Sequence, residues 1–422
     1  MKKLSEECRL VYASPNGKDM SCYSPHILPL KSGRLLVSMD ISDRSEGAKY
    51  CRELGLETWQ EKKGARFSGM LFVSDDDGAR WQYIRSFPFI QARSFCDGNR
   101  IYLLGHANDL CIMYSDDDGE SWSGVFHLTE GEKWHQAPCN VWYDGGYVYL
   151  VMERKVYDDV RGWDVNILAP VLMKGKLGTD LTQRENWVFA DEKTFRDTVD
   201  VARLNYIPCP FFPMDNYKPI DAAPGRPMAP MGWLETNVVK INDVKHLWYG
   251  GDKRVFHLIS RLHSGSTNFA ALLRVTDYGD HMVTETQKAP SGKDMTIIPL
   301  PGGQMKFHIL FDEKTKTYWL LSTQATDSLT RAECLPPERF GLPDNERRRL
   351  QLHFSRNCYD WCFAGMVDIG DSELESRHYA AMAIKNEDLC IVSRSGGPDS
   401  KNPHDTDRIT YHIVKNFREL IY

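Results

Sequence analysis

The octets SDDDGARW at 74–81 and SDDDGESW at 115–122 share the pattern Ser-x-Asp-x-Gly-x-x-Trp and begin 41 residues apart. In such an octet the aspartate can accept backbone N–H groups across a tight turn, and the glycine supplies a positive φ. A degenerate third copy runs from Ser355 to Trp361. A repeat of this length is typical of the blades of a β-propeller, which have roughly 40–50 residues each.

Six longer segments share a second design, in which a polar cluster, an apolar stretch, a turn and a β-forming run follow one another. Each predicts the two inner strands of one blade, joined by a hairpin. The segments are 23–40, 93–106, 135–154, 233–251, 303–323 and 377–394. Further β-forming runs supply third strands at 67–74, 109–114, 164–174, 269–276 and 350–355. We therefore predict an all-β fold, a single six-bladed propeller domain over 1–422 whose ring closes between the N- and C-terminal regions.

Three loop insertions interrupt the predicted blades, near 40–66, 205–232 and 326–350. The second contains seven prolines between 208 and 230, and proline cannot donate to a strand ladder. In the third, the cluster Glu346-Arg347-Arg348-Arg349 is expected to be solvated or to contact another subunit. Whether the protein forms a homo-oligomer is left open.

Composition excludes several classes of protein. The 422 residues are 42% hydrophobic and 26% charged, as in an ordinary globular chain, and the net charge of −6 argues against a nucleic-acid partner. No apolar run approaches the ~20 residues of a membrane span, so no membrane partner is expected. The start MKKLSEECRLVYAS has no apolar signal region, and the 11 scattered cysteines favour free thiols. We expect a cytoplasmic protein, with earlier removal of a leader left open, and no metal or other cofactor.

The octets resemble the Asp-box of the sialidase-like β-propellers, and the resemblance covers the propeller as a whole. It implies that the octets are structural turns at the blade rim. It also implies an axial funnel on which the innermost strands converge, and a glycosidase-type activity toward a small carbohydrate. Nine residues at or near the inner strands are the candidates for substrate binding: His26, Arg93, Arg154, Trp233, Asn237, Arg254, His308, Arg377 and His378.

The resemblance also indicates catalytic residues. The stretch beginning at Tyr379 (YAAMAI) is similar to the family segment with a nucleophilic tyrosine, and the stretch around Glu235 (LETNVV) is similar to the segment with the glutamate that activates it. A phenol of pKa about 10 needs a neighbouring base to act as a nucleophile near pH 7. Asp40, which closes the strand LLVSMD, is the first candidate for the general acid, and His135 is the imidazole alternative.

One departure bears on the substrate. The family begins blade one with Phe/Tyr-Arg-x-Pro, whereas this chain has Tyr23-Ser24-Pro25-His26 and lacks the arginine that helps to clamp a substrate carboxylate. We therefore expect an exo-acting hydrolase of small glycosides or oligosaccharides other than ordinary sialosides. The alternatives are an oligosaccharide (uronate) lyase that uses His, Tyr and Arg, and a non-catalytic carbohydrate-binding propeller.

Overall fold

Antiparallel strands form nearly all of the regular structure, in six sheets arranged as the blades of a propeller. The computed structural model describes residues 2–60, 64–159, 163–201, 220–223, 226–228 and 230–422. The predicted all-β, six-bladed fold is thus confirmed. The proline-rich insertion falls mostly outside the described residues.

Strand bounds follow the predicted hairpins in five blades; in blade 4 the second inner strand is Arg254–His263, beyond the predicted segment 233–251, whose second half is a loop. Blade 1 contains Met20–Pro29, Leu35–Asp43, Trp59–Gln60, Arg66–Ser74 and Gln82–Phe87. Blade 2 contains Ile90–Asp97, Arg100–Ala107, Asp109–Ser115 and Phe126–His127. Blade 3 contains Trp134–His135, Trp142–Asp144, Tyr147–Lys155, Leu168–Lys176 and Trp187–Phe189.

The second half repeats the pattern. Blade 4 contains Gly232–Val239, Arg254–His263, Phe269–Asp277, Met282–Lys288, Asp294–Met295 and Ile297–Pro299. Blade 5 contains His308–Asp312, Thr317–Thr323, Arg349–Ser355 and Cys362–Ile369. Blade 6 contains Arg377–Lys385, Asp388–Ser395, Arg408–Val414 and, as its outer strand, Arg9–Ala13. The described residues also form a hairpin of Ile220–Ala223 and Arg226–Met228, two short α-helices, Lys49–Glu53 and Phe195–Thr198, and several single turns of 3-10 helix.

The ring closes as predicted. Arg9–Ala13, at the start of the chain, pairs antiparallel with the C-terminal strand Arg408–Val414. The amide of Cys22 adds a hydrogen bond of 2.7 Å to the carbonyl of Thr406, which ties blade 1 to the last blade. The ten described cysteines are free thiols. No helix in the described part of the chain is long and apolar enough to span a membrane.

The two octets form the same turn, between Arg66–Ser74 and Gln82–Phe87 in blade 1 and between Asp109–Ser115 and Phe126–His127 in blade 2. In the first, the Ser74 hydroxyl accepts from the Gly78 amide at 2.9 Å, and the Asp76 carboxylate accepts from the Arg80 amide at 2.8 Å. Ser115 and Asp117 repeat both bonds in the second octet, at 3.0 and 2.9 Å. The degenerate copy folds similarly, since Asn357 accepts from the Tyr359 and Asp360 amides.

Polar side chains tie the inner strands of neighbouring blades together. The Asn140 side chain donates to the carbonyl of Val238 and accepts from its amide, at 2.6 and 2.8 Å. Asn237 makes the matching pair of bonds to the next blade, at Phe307 and Ile309. The innermost strand of each blade has no neighbouring strand on its axial side, so its backbone N–H and C=O groups there lack partners within the sheet. The two asparagine side chains supply hydrogen bonds to these groups.

The innermost strands of blades 1, 2, 4 and 6 each contain a register shift near the start. At each shift one residue has a left-handed backbone: Ser24 (φ 48°), Gln91 (φ 54°), Glu235 (φ 57°) and Tyr379 (φ 51°). Non-glycine residues rarely adopt this conformation, which costs of order 1 kcal/mol or more, and such bulges re-aim a side chain. The four bulges direct these residues toward one end of the propeller axis.

Candidate functional site

A cavity of about 400 Å³ lies at the end of the axis where the four bulges meet. All four bulge residues, Ser24, Gln91, Glu235 and Tyr379, line it. We call this cavity the funnel. The funnel also receives Asp40 from blade 1 and His135 from blade 3, so the four predicted catalytic residues share one cavity.

Tyr379 and Glu235 meet through an arginine. The Nη1 atom of Arg261 donates to the Tyr379 hydroxyl oxygen at 2.7 Å and to Glu235 Oε2 at 3.1 Å. Its Nε atom donates to the carbonyl of Gln304 at 2.7 Å, which fixes the guanidinium. All three side chains of the triad are less than one-tenth exposed, so their charges interact with little screening by water. A phenol oxygen that accepts from a guanidinium is stabilised as the anion.

Three arginines surround the Tyr379 ring. The guanidinium carbons of Arg261, Arg347 and Arg394 lie 5.9, 5.8 and 5.0 Å from the ring centroid. Burial raises the pKa of the Tyr379 hydroxyl, and the three guanidinium groups oppose that rise, whereas Glu235 adds to it. The raised pKa keeps the phenol protonated near pH 7, while the guanidinium groups around it favour its anion.

Asp40 has the properties of a general acid. Its side chain is buried and its Oδ1 accepts from the amide of Gln91 at 3.0 Å. Burial raises the pKa of the Asp40 carboxyl to about 7, and the Gln91 amide, Arg394 and Ser24 lower it in part. Since a carboxyl with a pKa near neutrality holds its proton at the working pH and can still release it, Asp40 can protonate a leaving group.

His135 belongs to a second polar cluster on the funnel wall. Its Nδ1 lies 3.4 Å from Glu153 Oε2, and Glu153 is completely buried. The other Glu153 oxygen accepts from the amide and the hydroxyl of Thr236, at 3.1 and 3.0 Å. Burial raises the pKa of Glu153, and His135 lowers it. The Glu153 carboxylate thus orients the His135 imidazole, an arrangement that suits a general acid or base.

The blade-6 side of the funnel is closed by a polar chain. Tyr23 donates from its hydroxyl to Asp405 at 2.7 Å, and Asp405 also contacts His404 Nδ1 at 2.8 Å. The guanidinium of Arg394 stacks on the Tyr23 ring, 4.1 Å from its centroid, and donates to His404. These contacts hold Arg394 at the funnel surface.

No protein-family model matches this sequence, and no curated protein sequence matches it. Solved structures do match. The intramolecular trans-sialidase from Ruminococcus gnavus, solved with oseltamivir carboxylate, is 10% identical with a TM-score of 0.56 over 98% of each chain. The α-L-arabinanase of Penicillium chrysogenum, solved with arabinobiose, is 12% identical with a TM-score of 0.51 over 99% of each chain. Trypanosoma rangeli sialidase is 12% identical with a TM-score of 0.53, over 95% of this chain and 56% of that one.

This chain has the sialidase-like propeller fold. At such low identity the likeness shows the fold alone, so the chemistry of this sialidase-like propeller rests on its own residues.

The nine residues predicted to bind substrate lie outside the funnel lining. His26, Arg93 and His308 are buried deeper along the axis. Trp233 is fully buried, packs on Phe195 and donates from Nε1 to a backbone carbonyl. Asn237 ties two inner strands together, as described above. The bulges contribute to this placement, because an extra residue shifts the side-chain alternation. In each bulged strand the bulge residue lines the funnel, in three blades together with the residue before it, whereas the residue after it does not.

The other four predicted residues, three arginines and a histidine, have internal partners. Arg154 donates to the carbonyls of Lys133 and Lys155 beside the funnel wall. Arg254 pairs with Asp144 at 3.0 Å, and Arg377 pairs with Asp368 at 2.7 Å. His378 is fully buried, and its Nδ1 lies 3.0 Å from Arg347 Nη1. Each therefore stabilises the blades or supports the site from behind.

Sequence reasoning missed the arginines of the site. Arg261 and Arg394 lie near the end of the second strand of blades 4 and 6. Both follow apolar runs, and such runs predict a buried strand without indicating a functional site. The expectation that the Glu346–Arg349 cluster is solvated was wrong, because Glu346 is completely buried and Arg347 packs beside Tyr379. Gln91 was also missed; its side-chain oxygen accepts from the Gln136 amide and contacts His106 Nε2. A search for polar residues at equivalent bulge positions would have found Gln91.

Proposed function

We propose that this protein is an exo-acting glycoside hydrolase that cleaves a small glycoside or oligosaccharide in the funnel. The proposal rests on one observation: a candidate nucleophile and a candidate proton donor line the same cavity. Tyr379 and Glu235 share Arg261 at the funnel floor, and Asp40, a carboxyl with a pKa of about 7, lines the same cavity. Glycosidase chemistry needs a nucleophile and a proton donor around one bond.

In the proposed reaction the Tyr379 oxygen attacks the anomeric carbon of the bound sugar. Its proton passes to Glu235, and Arg261 stabilises the negative charge that develops on the phenol oxygen. A C–O bond forms to Tyr379 while the bond to the leaving oxygen breaks, and Asp40 protonates that oxygen. In the second half, Asp40 accepts a proton from water and the water oxygen attacks the same carbon. The bond to Tyr379 breaks, and the phenol oxygen takes its proton back from Glu235. Two displacements retain the anomeric configuration.

The shape of the funnel supports exo action. Beneath Tyr379 the axis is filled by Ala137 and Met305, both fully buried. A cavity of about 400 Å³ with a closed floor accommodates the end of a chain and one or two sugar units better than the middle of a polymer. Trp59 and Trp163 line the wall and offer apolar faces for sugar rings.

The charge of the lining supports a sugar that bears a negative group. Arg44, Arg394, Lys133 and Lys155 line the funnel together with Glu235 and Asp40, whose pKa is about 7. Lys133 and Lys155 are paired with Asp158 and Asp164, so the positive charge at the funnel comes mainly from Arg44 and Arg394. Ser24 stands where the sialidase-like pattern has an arginine, and Arg261 and Arg347 are engaged by internal partners. We therefore expect aryl sialosides to be poor substrates and uronides to be better ones.

A second candidate function, uronate lyase, is favoured by one observation. His135 is oriented by the buried carboxylate of Glu153, as expected for a base that removes a proton next to a carboxylate-bearing carbon. The β-elimination would leave a C=C bond in the product and consume no water. Near-ultraviolet absorbance therefore separates the two reactions, because only the lyase product absorbs there.

The experiment is a panel of aryl glycosides that includes an α-L-arabinofuranoside, a β-D-glucuronide and an α-sialoside, together with unsaturated-product detection on oligouronates. Release of the aryl group, lost in Tyr379→Phe and in Glu235→Gln, would support the hydrolase. Ultraviolet-absorbing product that persists in Tyr379→Phe and disappears in His135→Asn would support the lyase. Tight sugar binding without any product would identify a carbohydrate-binding propeller and overturn both.

A further inference from the structure

One residue of the funnel, Gln91, has a polar group that the proposed reaction does not use. Gln91 is the bulge residue of blade 2, with a left-handed backbone (φ 54°), and it lines the funnel. Its backbone amide donates to Asp40 Oδ1 at 3.0 Å. Gln91 is therefore held directly beside the proposed general acid, in a strained backbone conformation of the kind that clusters at ligand sites.

Two internal donors fix the orientation of the Gln91 side-chain amide. The backbone amide of Gln136 donates to Gln91 Oε1 at 3.1 Å, and His106 Nε2 lies 2.7 Å from the same oxygen. Because a backbone N–H can only donate, the atom that faces Gln136 is the oxygen of the side chain and not its nitrogen. The NH2 group of Gln91 therefore points away from both partners.

The protonation of His106 agrees with this orientation. Its Nδ1 is buried and has no hydrogen-bond partner among the described residues, and burial lowers the pKa of His106 well below its usual value. The ring is therefore neutral and carries one proton. Since Gln91 Oε1 is an acceptor, that proton lies on Nε2, and His106 donates to the Gln91 oxygen.

The NH2 group of Gln91 has no hydrogen-bond partner in the part of the chain that the structure describes. The two side-chain hydrogen bonds of Gln91 both end on its oxygen. The residue is partly exposed at the funnel wall, so the NH2 group is accessible from the cavity. Two N–H donors are thus held in a fixed direction and left to water or to a ligand of the funnel.

An aromatic ring lies next to this donor. The Trp59 ring contacts the His106 ring edge-on, with the two centroids 6.3 Å apart, and Trp59 also lines the funnel. Trp59 and Gln91 both contact His106 and therefore lie close together on the wall. Since a sugar has apolar C–H faces and polar edges, a tryptophan beside an amide donor suits the recognition of one sugar unit.

We propose that Gln91 is a specificity-determining residue of the funnel, whose NH2 group donates to an acceptor oxygen of the bound sugar. This inference rests on the proposed function, which places a sugar in the cavity. The acceptor is a hydroxyl oxygen, or a carbonyl or carboxylate oxygen, of the sugar substituent nearest to Asp40. Because the backbone amide of the same residue holds Asp40, a sugar bound to Gln91 is placed against the general acid.

A cycle of substitutions in the protein and in the sugar tests this contact. The probes are the aryl glycoside of the panel that binds most tightly and its analogues that each lack one oxygen-bearing substituent. Calorimetry measures their binding in the Tyr379→Phe background, where no turnover is expected. Gln91→Glu keeps an oxygen for Gln136 and His106 and replaces the NH2 donor with a second oxygen. One substituent should change its contribution to binding, by about threefold to tenfold, as expected for one hydrogen bond.

The direction of the change identifies the acceptor. A carbonyl or carboxylate oxygen should lose its contribution in Gln91→Glu, whereas a hydroxyl should contribute more, because it can rotate and donate to the new carboxylate. Gln91→Met removes both hydrogen-bonding ends and should abolish the contribution of the same substituent in either case. Gln82→Glu, at an exposed glutamine outside the funnel lining, adds the same charge and is the matched control. It should change no contribution.

The outcomes separate this inference from the proposed function. Unchanged contributions of every substituent in the Gln91 variants would overturn the inference, and aryl release that is lost in Tyr379→Phe would still support the hydrolase. A changed contribution of one substituent, without turnover by the wild type, would support the role of Gln91 and overturn the hydrolase. No binding of any glycoside of the panel would contradict both.

Discussion

Arg261 donates a hydrogen bond of 2.7 Å from its Nη1 atom to the hydroxyl oxygen of Tyr379. The same nitrogen lies 3.1 Å from Glu235, and the described residues show no direct hydrogen bond between the tyrosine and the glutamate. The guanidinium therefore pairs a buried carboxylate and donates to the phenol oxygen, where it would stabilise the phenolate of the proposed reaction.

Arg261→Met should damage both functions. Loss of a partner from a buried ion pair typically costs about 3–5 kcal/mol, so the free energy of unfolding should fall by that order. Turnover should fall too, because the phenol pKa rises without the cation. In the double variant Arg261→Met, Glu235→Gln the stability should recover, since no charge is left unpaired, while the activity should not. Denaturant unfolding and aryl glycoside kinetics measure the two effects. Recovery of activity in the double variant would show that Arg261 is structural only.

Tyr379→Phe should abolish turnover and leave sugar binding nearly intact, because the ring stays and only the nucleophilic oxygen is lost. Tyr318→Phe is the matched control. Its hydroxyl is also engaged in a hydrogen bond, to the Lys240 carbonyl at 2.8 Å, but lies outside the funnel lining. The control should cost about 1 kcal/mol of stability and keep its activity. Equal activity loss in the two variants would point to a folding effect.

Asp40 should make stability depend on pH. The pKa of its carboxyl is about 7 when folded and about 3.8 in an unfolded chain. Between about pH 4 and pH 7 the folded protein binds the extra proton, so the free energy of unfolding falls as the pH rises through this window. Asp40→Asn cannot ionise and should lack this decline. Relative to the wild type, it should gain stability from pH 5 to pH 8; a constant difference would contradict the raised pKa.

The same carboxyl should shape the activity profile. The wild-type enzyme should lose kcat/KM above about pH 7, as the general acid loses its proton. Asp40→Asn should be slowed far more on glycosides with poor leaving groups than on activated aryl glycosides, which need no protonation. Rate measurements on a series of leaving groups test this, and a uniform loss across the series would assign Asp40 another role.

The two octet turns offer a matched pair of glycine substitutions. Gly78 and Gly119 have φ values of 79° and 84°, so alanine is strained at both. A Cβ at Gly78 would lie 2.4 Å from the Tyr411 ring, whereas at Gly119 the nearest atom is 3.8 Å away. Gly119→Ala should cost roughly 1 kcal/mol, and Gly78→Ala clearly more. Unfolding midpoints decide this, and equal losses would show that the Tyr411 ring moves aside freely.

The fold was predictable because two properties of the sequence repeat. The octets mark the same turn in successive blades, and the alternating apolar hairpins set the number of blades. The arginines of the site were not predictable, since Arg261, Arg347 and Arg394 are far apart in sequence and come together only around the Tyr379 ring in the folded protein. Tyr379 and His378 show a second reason why the site could not be read from the sequence. They are adjacent, but the left-handed backbone at Tyr379 directs the tyrosine into the funnel, whereas His378 lies behind it, against Arg347.

The central claim is that Tyr379 attacks the sugar. A slow fluorinated analogue of whichever aryl glycoside the panel identifies should trap the covalent intermediate, and mass spectrometry of the intact and digested protein locates it. We predict a single adduct on the peptide that contains Tyr379, absent in Tyr379→Phe. An adduct on a carboxylate such as Glu235, or continued turnover by Tyr379→Phe, would contradict the account.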